Sequence, residues 1–133
     1  MPALRTRQVH LDFHTGPQIP DVGADFDAGE FVATLKAGHV NSVTVFARCH
    51  HGHIYYLPTR FPALHPALKI NLLGEQIEAC HRAGIRAPIY ITIGLDEFMA
   101  NRHPEFQEVH IEGKTGLRGP LDARWHKMCL NGP

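Results

Sequence analysis

The run Val43-Thr44-Val45-Phe46-Ala47 constrains this chain more than any other segment. Nearly continuously apolar and rich in β-branched residues, it reads as a strand buried on both faces, as strands of parallel sheets are. Parallel strands need crossovers of a dozen or more residues, usually helices, so the flanking sequence has to supply βα units. It does. Residues 9–13 form a first strand in which Val9, Leu11 and Phe13 alternate with His10, Asp12 and His14, and residues 88–94, Pro88-Ile89-Tyr90-Ile91-Thr92-Ile93-Gly94, form a third.

Helices fit between them. Asp27 is a good N-cap with Glu30 three residues on as the second half of a capping box. Phe31, Val32 and Leu35 then share one helical face, and Gly38 suits the C′ position that ends the helix. Asn71 caps a second helix, in which Leu72, Leu73, Ile77 and Cys80 recur at helical spacing before Gly84 ends it. Lys36-Ala37-Gly38-His39-Val40 precedes Val43 as Arg82-Ala83-Gly84-Ile85-Arg86 precedes Ile89, which gives the two αβ loops one common length. The fold class is therefore α/β, built from repeated βα units of a (β/α)8 barrel or a doubly wound sheet. Residues 49–69 make a longer connection than a βα turn needs, residues 106–111 read as a short strand, and residues 112–116 read as a turn.

Composition narrows the partners. The chain has 133 residues, 44% hydrophobic and 20% charged, with 13 basic side chains against 13 acidic ones. Zero formal net charge argues against nucleic acid as a partner. No apolar run approaches the roughly 20 residues of a membrane span, and no signal-peptide h-region follows Met1. Cys49, Cys80 and Cys129 form no CxxC pair, so a reducing, cytoplasmic setting is expected.

Each of the three strands runs into polar chemistry: His14 after the first, Cys49-His50-His51-Gly52-His53 after the second, Asp96-Glu97 after the third. In α/β folds the carboxyl ends of the strands carry the binding site. A neutral imidazole both donates and accepts hydrogen bonds, so His50 and His51 suit sugar hydroxyls, and Tyr55 and Tyr56 offer flat faces to a pyranose. The competing reading is a solvated loop with incidental histidines. Asp96 and Glu97 can bind hydroxyls or serve as acid and base, although Asp96 also suits a helix N-cap. His10, Asp12 and His14 share a strand face at period two, which leaves a metal-dependent hydrolase open as an alternative. His39, His81, His103, His110 and His126 read as surface residues.

The runs 8–14, 40–52 and 78–85, together with Asp96-Glu97 and Asn101-Arg102-His103-Pro104-Glu105, resemble the bacterial group called hypothetical glycosyl hydrolase 6. A weaker similarity runs to the α-L-fucosidases of glycoside hydrolase family 29. The resemblance implies a glycosidase with a TIM-type barrel, α-L-fucosidase-like or β-galactosidase-like. In the fucosidases the second strand ends in His-His-Asp-Gly with both histidines on the sugar, which implies sugar contacts for His50 and His51. His14 matches a histidine at the end of their first strand. Here Gly52 follows His51 directly and Leu95 stands where an aromatic is expected. The fucosidase nucleophile lies on the fourth strand, so the resemblance implies no catalytic residue within residues 1–133.

A complete barrel takes roughly 250 residues. The expectation is thus the N-terminal part of a glycoside-hydrolase barrel, about three βα units, spanning residues 1–133 and continuing beyond them. It supplies sugar-binding residues His14, His50, His51, Tyr55, Asp96 and Glu97, with no cofactor or bound metal, and binds carbohydrate. A chain of this kind is expected to be inactive alone and to have open sheet edges that pairing with a second copy can cover. A non-catalytic carbohydrate-binding module is the alternative outside the enzymes.

Overall fold

The computed structural model describes residues 4–109 and 126–131. Its elements are β1 (Gln8–His10), α1 (Ala28–Ala37), β2 (Ser42–Arg48), α2 (Leu72–Arg82), β3 (Ile89–Ile91) and α3 (Glu97–Arg102), then a 3-10 turn at Pro104–Phe106. The strands form one parallel sheet in the order β1-β2-β3, with β2 in the middle. This is the α/β architecture expected from the repeated βα pattern.

The apolar run of β2 is buried on both faces. Val43, Val45 and Ala47 pack against Leu35 of α1 and against Leu73 and Cys80 of α2. Phe46 projects to the opposite face and stacks on Tyr90 at 4.3 Å between ring centroids. Each such side chain contributes about 1.5–3 kcal/mol on burial, which makes β2 the axis of the fold.

The outer strands are shorter than expected. β1 ends at His10 rather than residue 13, and β3 runs from Ile89 to Ile91 rather than over 88–94. The pairing of β3 with β2 shifts register between Phe46 and Arg48. One further ladder bond follows, from the Thr92 N–H to the Arg48 carbonyl at 3.2 Å. Thr92 Oγ1 then donates to the Leu95 carbonyl at 2.6 Å and turns the chain out of the sheet. Along β3 and just past it, Ile89, Ile91 and Ile93 are 50%, 58% and 71% exposed, an apolar row that nothing described covers.

Both long helices start as the sequence indicates. Asp27 Oδ1 accepts from the Glu30 N–H at 2.7 Å, and Asn71 Oδ1 from the Gly74 N–H at 3.3 Å. The C-termini differ from each other. In α2, Gly84 takes φ +70 at C′, its N–H bonds the His81 carbonyl, and the Ile85 N–H bonds the Cys80 carbonyl. In α1 the same 6→1 and 5→2 pair is made by Val40 to Leu35 and His39 to Lys36, so His39, at φ +55, holds the left-handed position assigned to Gly38. Hydrophobic contact displaces the glycine signal, because Val40 has to fall beside Leu35 in the core. A left-handed non-glycine residue costs about 1–2 kcal/mol; a glycine would recover this, less about 0.5–1 kcal/mol for unfolded-chain entropy. His39→Gly is therefore expected to stabilise the chain modestly in urea unfolding, whereas Gly38→Ala should not be strained.

Of the expected strand at 106–111, the described residues 106–109 hold the end of the 3-10 turn and an isolated antiparallel bridge between Gln107 and Met128. Residues 110–125, which include the expected turn at 112–116 and His110, lie outside the described residues. No helix among the described residues is long and apolar enough to cross a membrane.

Candidate functional site

The polar ends of the three strands meet at the carboxyl edge of the sheet. Asp12 and His14 follow β1, His50 and His51 follow β2, and Asp96 and Glu97 stand where β3 leads into α3. Asp12 Oδ1 lies 2.8 Å from His14 Nε2. The His14 ring stacks on His50 with centroids 3.8 Å apart and planes 17° apart. The His50 and His51 rings are 4.6 Å apart, and His51 Nδ1 is 2.5 Å from Glu97 Oε2. The result is a row of three imidazoles with a carboxylate at each end.

The backbone of the histidine pair is held from both sides. The His50 N–H donates to His14 Nδ1 at 3.3 Å. The first N–H groups of α3 complete the grip, Glu97 to the His50 carbonyl at 3.2 Å and Phe98 to the His51 carbonyl at 3.1 Å. Beneath them Arg48 Nη2 pairs with Asp96 Oδ2 at 2.6 Å, and Arg48 Nε donates to the Gly52 carbonyl at 3.0 Å. Asp96 Oδ1 accepts from the Met99 N–H at 2.9 Å and so caps α3. Gly52 bonds back to the Cys49 carbonyl at 2.8 Å and takes φ +83, which lets the turn pass close under α3.

Burial governs the electrostatics. It pushes His50 down to about 4, with His14 and His51 beside it adding to the shift. It also lowers His14, although Asp12 opposes the change. Burial lowers His53 as well, with His65 next to it. Asp96 is pushed upward by burial, against the Met99 hydrogen bond and the Arg48 charge, both of which favour the carboxylate. His14 and His50 are therefore neutral around pH 7, the form that can both donate and accept.

The expected site residues divide into two groups. His14, His50, His51 and Glu97 come together. Both nitrogens of His14 are engaged with the protein, one by Asp12 and one by the His50 N–H, so it buttresses His50. Asp96 is 3% exposed and acts as cap and ion-pair partner rather than facing a ligand. Tyr55 departs furthest from expectation. The 49–69 connection folds back beneath β2, with the Tyr55 N–H on the Ala47 carbonyl at 3.1 Å and the Ile54 N–H on the Ala63 carbonyl at 2.9 Å. Its ring is fully buried, edge-on to Phe13 at 5.0 Å, and its hydroxyl is 2.6 Å from Thr15 Oγ1. No face is left for a sugar.

Arg48 is the site residue that sequence reasoning missed; a lone cation ending a buried strand was the available signal, since burial demands a partner for it. Asp12 Oδ1 stands 3.6 Å from His10 Nε2 and closer to His14, so both rings turn towards this carboxylate. Among the described residues no group of three or more His, Cys, Asp or Glu is arranged to hold a metal ion. A cavity of about 590 Å³ lies at the opposite, amino edge of the sheet, lined by Arg5, Gln8, His81 and Arg86 among others, away from the imidazoles.

The family model described as hypothetical glycosyl hydrolase 6 matches residues 27–133, which include β2, the histidine pair and α3. The chain belongs to the hypothetical glycosyl hydrolase 6 family. Among solved structures, this chain is similar to α-L-fucosidase isoenzyme 2 from Paenibacillus thiaminolyticus, at 44% identity and a TM-score of 0.89. The alignment covers 98% of the present chain and 20% of that chain. A hypothetical protein from Ruminiclostridium thermocellum shares the fold, at 14% identity and a TM-score of 0.60 over 81% of this chain and 56% of the other. No curated protein matches the sequence.

Burial of His50 and His14 makes the chain acid-sensitive. His50 binds a proton more weakly in the fold, at about 4, than in the unfolded chain, at the ordinary 6.5. Protons therefore favour the unfolded chain, and stability present above pH 6.5 falls as the pH is lowered towards 4. At about 1.4 kcal/mol per tenfold change in proton affinity, reduced for solvent at the open edge, His50 accounts for about 1–2 kcal/mol. His14 and His53 act in the same direction. Melting temperature measured from pH 8 to pH 4.5 should fall steadily below pH 6.5, and less steeply in His50→Gln.

Proposed function

We propose that this chain forms the first three βα units of a (β/α)8 glycoside-hydrolase barrel and supplies the part of its site that recognises sugar hydroxyls. The carrying observation is the imidazole row at the carboxyl edge of a parallel sheet, where barrel enzymes bind substrate. Its membership of a glycosyl hydrolase family and its likeness to an α-L-fucosidase support a fucoside-type substrate. The exposed Ile89, Ile91 and Ile93 are consistent with a neighbouring barrel unit packed over β3. His50 and His51 contact hydroxyls, and His14 stacks behind them.

Hydrolysis of a glycoside needs two carboxyl groups flanking the scissile bond. Asp96 is buried against Arg48 and Glu97 is bonded to His51, so neither is placed for that work. The isolated chain should bind without turning over. Calorimetric titration of the 133-residue chain with L-fucose should show millimolar binding that weakens about tenfold or more in His51→Ala, one lost polar contact being worth about 1.5 kcal/mol. Stronger binding of D-galactose would select the β-galactosidase-like reading. Steady hydrolysis of an aryl α-L-fucoside by the pure chain, or no sugar binding, would overturn the account of this part.

A further inference from the structure

We propose that the cavity at the amino edge of the sheet is a second site, which binds the phosphate group of a small organic molecule. It lies away from the imidazole row and is independent of the carbohydrate reading. Its volume of about 590 Å³ falls in the range of small-molecule sites and exceeds what a bare ion fills. Arg5, His81 and Arg86 line it, and no carboxylate does so among the described residues. In a chain with 13 basic and 13 acidic side chains, this edge is a local excess of positive charge.

The cations of this cavity are uncommitted. Arg48 has Asp96, Arg82 has Glu78, and Arg7 donates to the His39 carbonyl. By contrast, the side chains of Arg5, His81 and Arg86 make no hydrogen bond or ion pair with any described residue. Arg86 is half-buried, and a guanidinium withdrawn from water calls for an anionic partner. Its backbone is fixed, with its N–H on the Asn41 carbonyl at 3.1 Å and its carbonyl accepting from the Val43 N–H at 2.8 Å. Arg5 is held beside β1 by Gln8 Nε2, which donates to its carbonyl. Ser42 also lines the cavity; it is 4% exposed, and its hydroxyl bonds no described group.

Two guanidiniums match the double charge and three terminal oxygens of a phosphate monoester, which arginine grips through parallel N–H donors. The Ser42 hydroxyl adds a donor, and Leu4 and Ile85 give apolar lining to the body of the molecule. Solvent screening at the open edge keeps the affinity modest, about millimolar.

Backbone-amide spectra of the ¹⁵N-labelled chain at pH 7 and low ionic strength test this. Phenyl phosphate should shift the amides of residues 84–87 saturably and bind several-fold more tightly than inorganic phosphate. Arg86→Gln should weaken phenyl phosphate about tenfold, the cost of a lost charge-assisted hydrogen bond. Arg60→Gln, at an exposed arginine off the cavity, should change nothing. The wild-type spectra overturn the proposal without any variant if residues 84–87 stay still, or if Arg48, Arg60 and Arg102 shift as much. So does benzoate binding as tightly as phenyl phosphate, phenyl phosphate binding no tighter than inorganic phosphate, or an Arg86→Gln chain that binds as well as wild type.

Discussion

Gly52→Ala is expected to cost the fold about 2–5 kcal/mol and to lower its melting temperature by roughly 10 °C or more. Two effects add. The residue sits at φ +83, a left-handed conformation worth about 1–2 kcal/mol of strain to an L side chain. A Cβ there would also lie 2.2 Å from Asp96 Oδ1 and 2.6 Å from Phe98 Cβ, so the turn has to move away from α3. Overpacking of this kind costs about 1–3 kcal/mol. The movement would take the Arg48–Gly52 bond and the α3 grip on His50 and His51 with it. Gly94→Ala is the control, since a Cβ there meets nothing within 4 Å. Equal thermal shifts for the two variants would refute the close approach of the turn to α3.

Arg48→Met should be similarly damaging, by about 3–5 kcal/mol, because it strands Asp96 as a buried charge without its partner. The Asp96 carboxyl, already raised by burial, would rise further once the guanidinium is gone. Raised affinity for protons in the fold means that acid should relieve part of the loss, so the variant should recover relative to wild type as the pH falls towards the Asp96 value. Adding Asp96→Asn should rescue it, since asparagine keeps the cap to the Met99 N–H without the charge. Chemical denaturation of the single and double variants at pH 7 and pH 5 measures the coupling. Additive losses would show that the pair does not act as a unit.

Local signals carried the architecture. The apolar run of β2 announced a strand buried on both faces, and Asp27 and Asn71 cap the helices they were expected to cap. His50 and His51 were legible because they end a buried strand, a place where a polar cluster needs a reason. What escaped reading was settled over distance. Arg48 meets Asp96 only once β2 and the start of α3 lie side by side. Tyr55 looked like an exposed aromatic of a loop, but the loop folds beneath the sheet and takes the ring into the second core cluster. The one-residue slip from Gly38 to His39 arose because core contact between Val40 and Leu35 outweighed local glycine preference. In the same way, the ends of β1 and β3 were fixed by ladder register and a threonine turn rather than by residue propensity.

Where a sugar lands on the chain is the decisive observation. A crystal of the chain soaked with L-fucose should show the pyranose at the carboxyl edge of the sheet, its hydroxyls within hydrogen-bond reach of His50 and His51. Sugar density in the groove beside Arg5, His81 and Arg86 instead, or an empty imidazole row at saturating L-fucose, would contradict it.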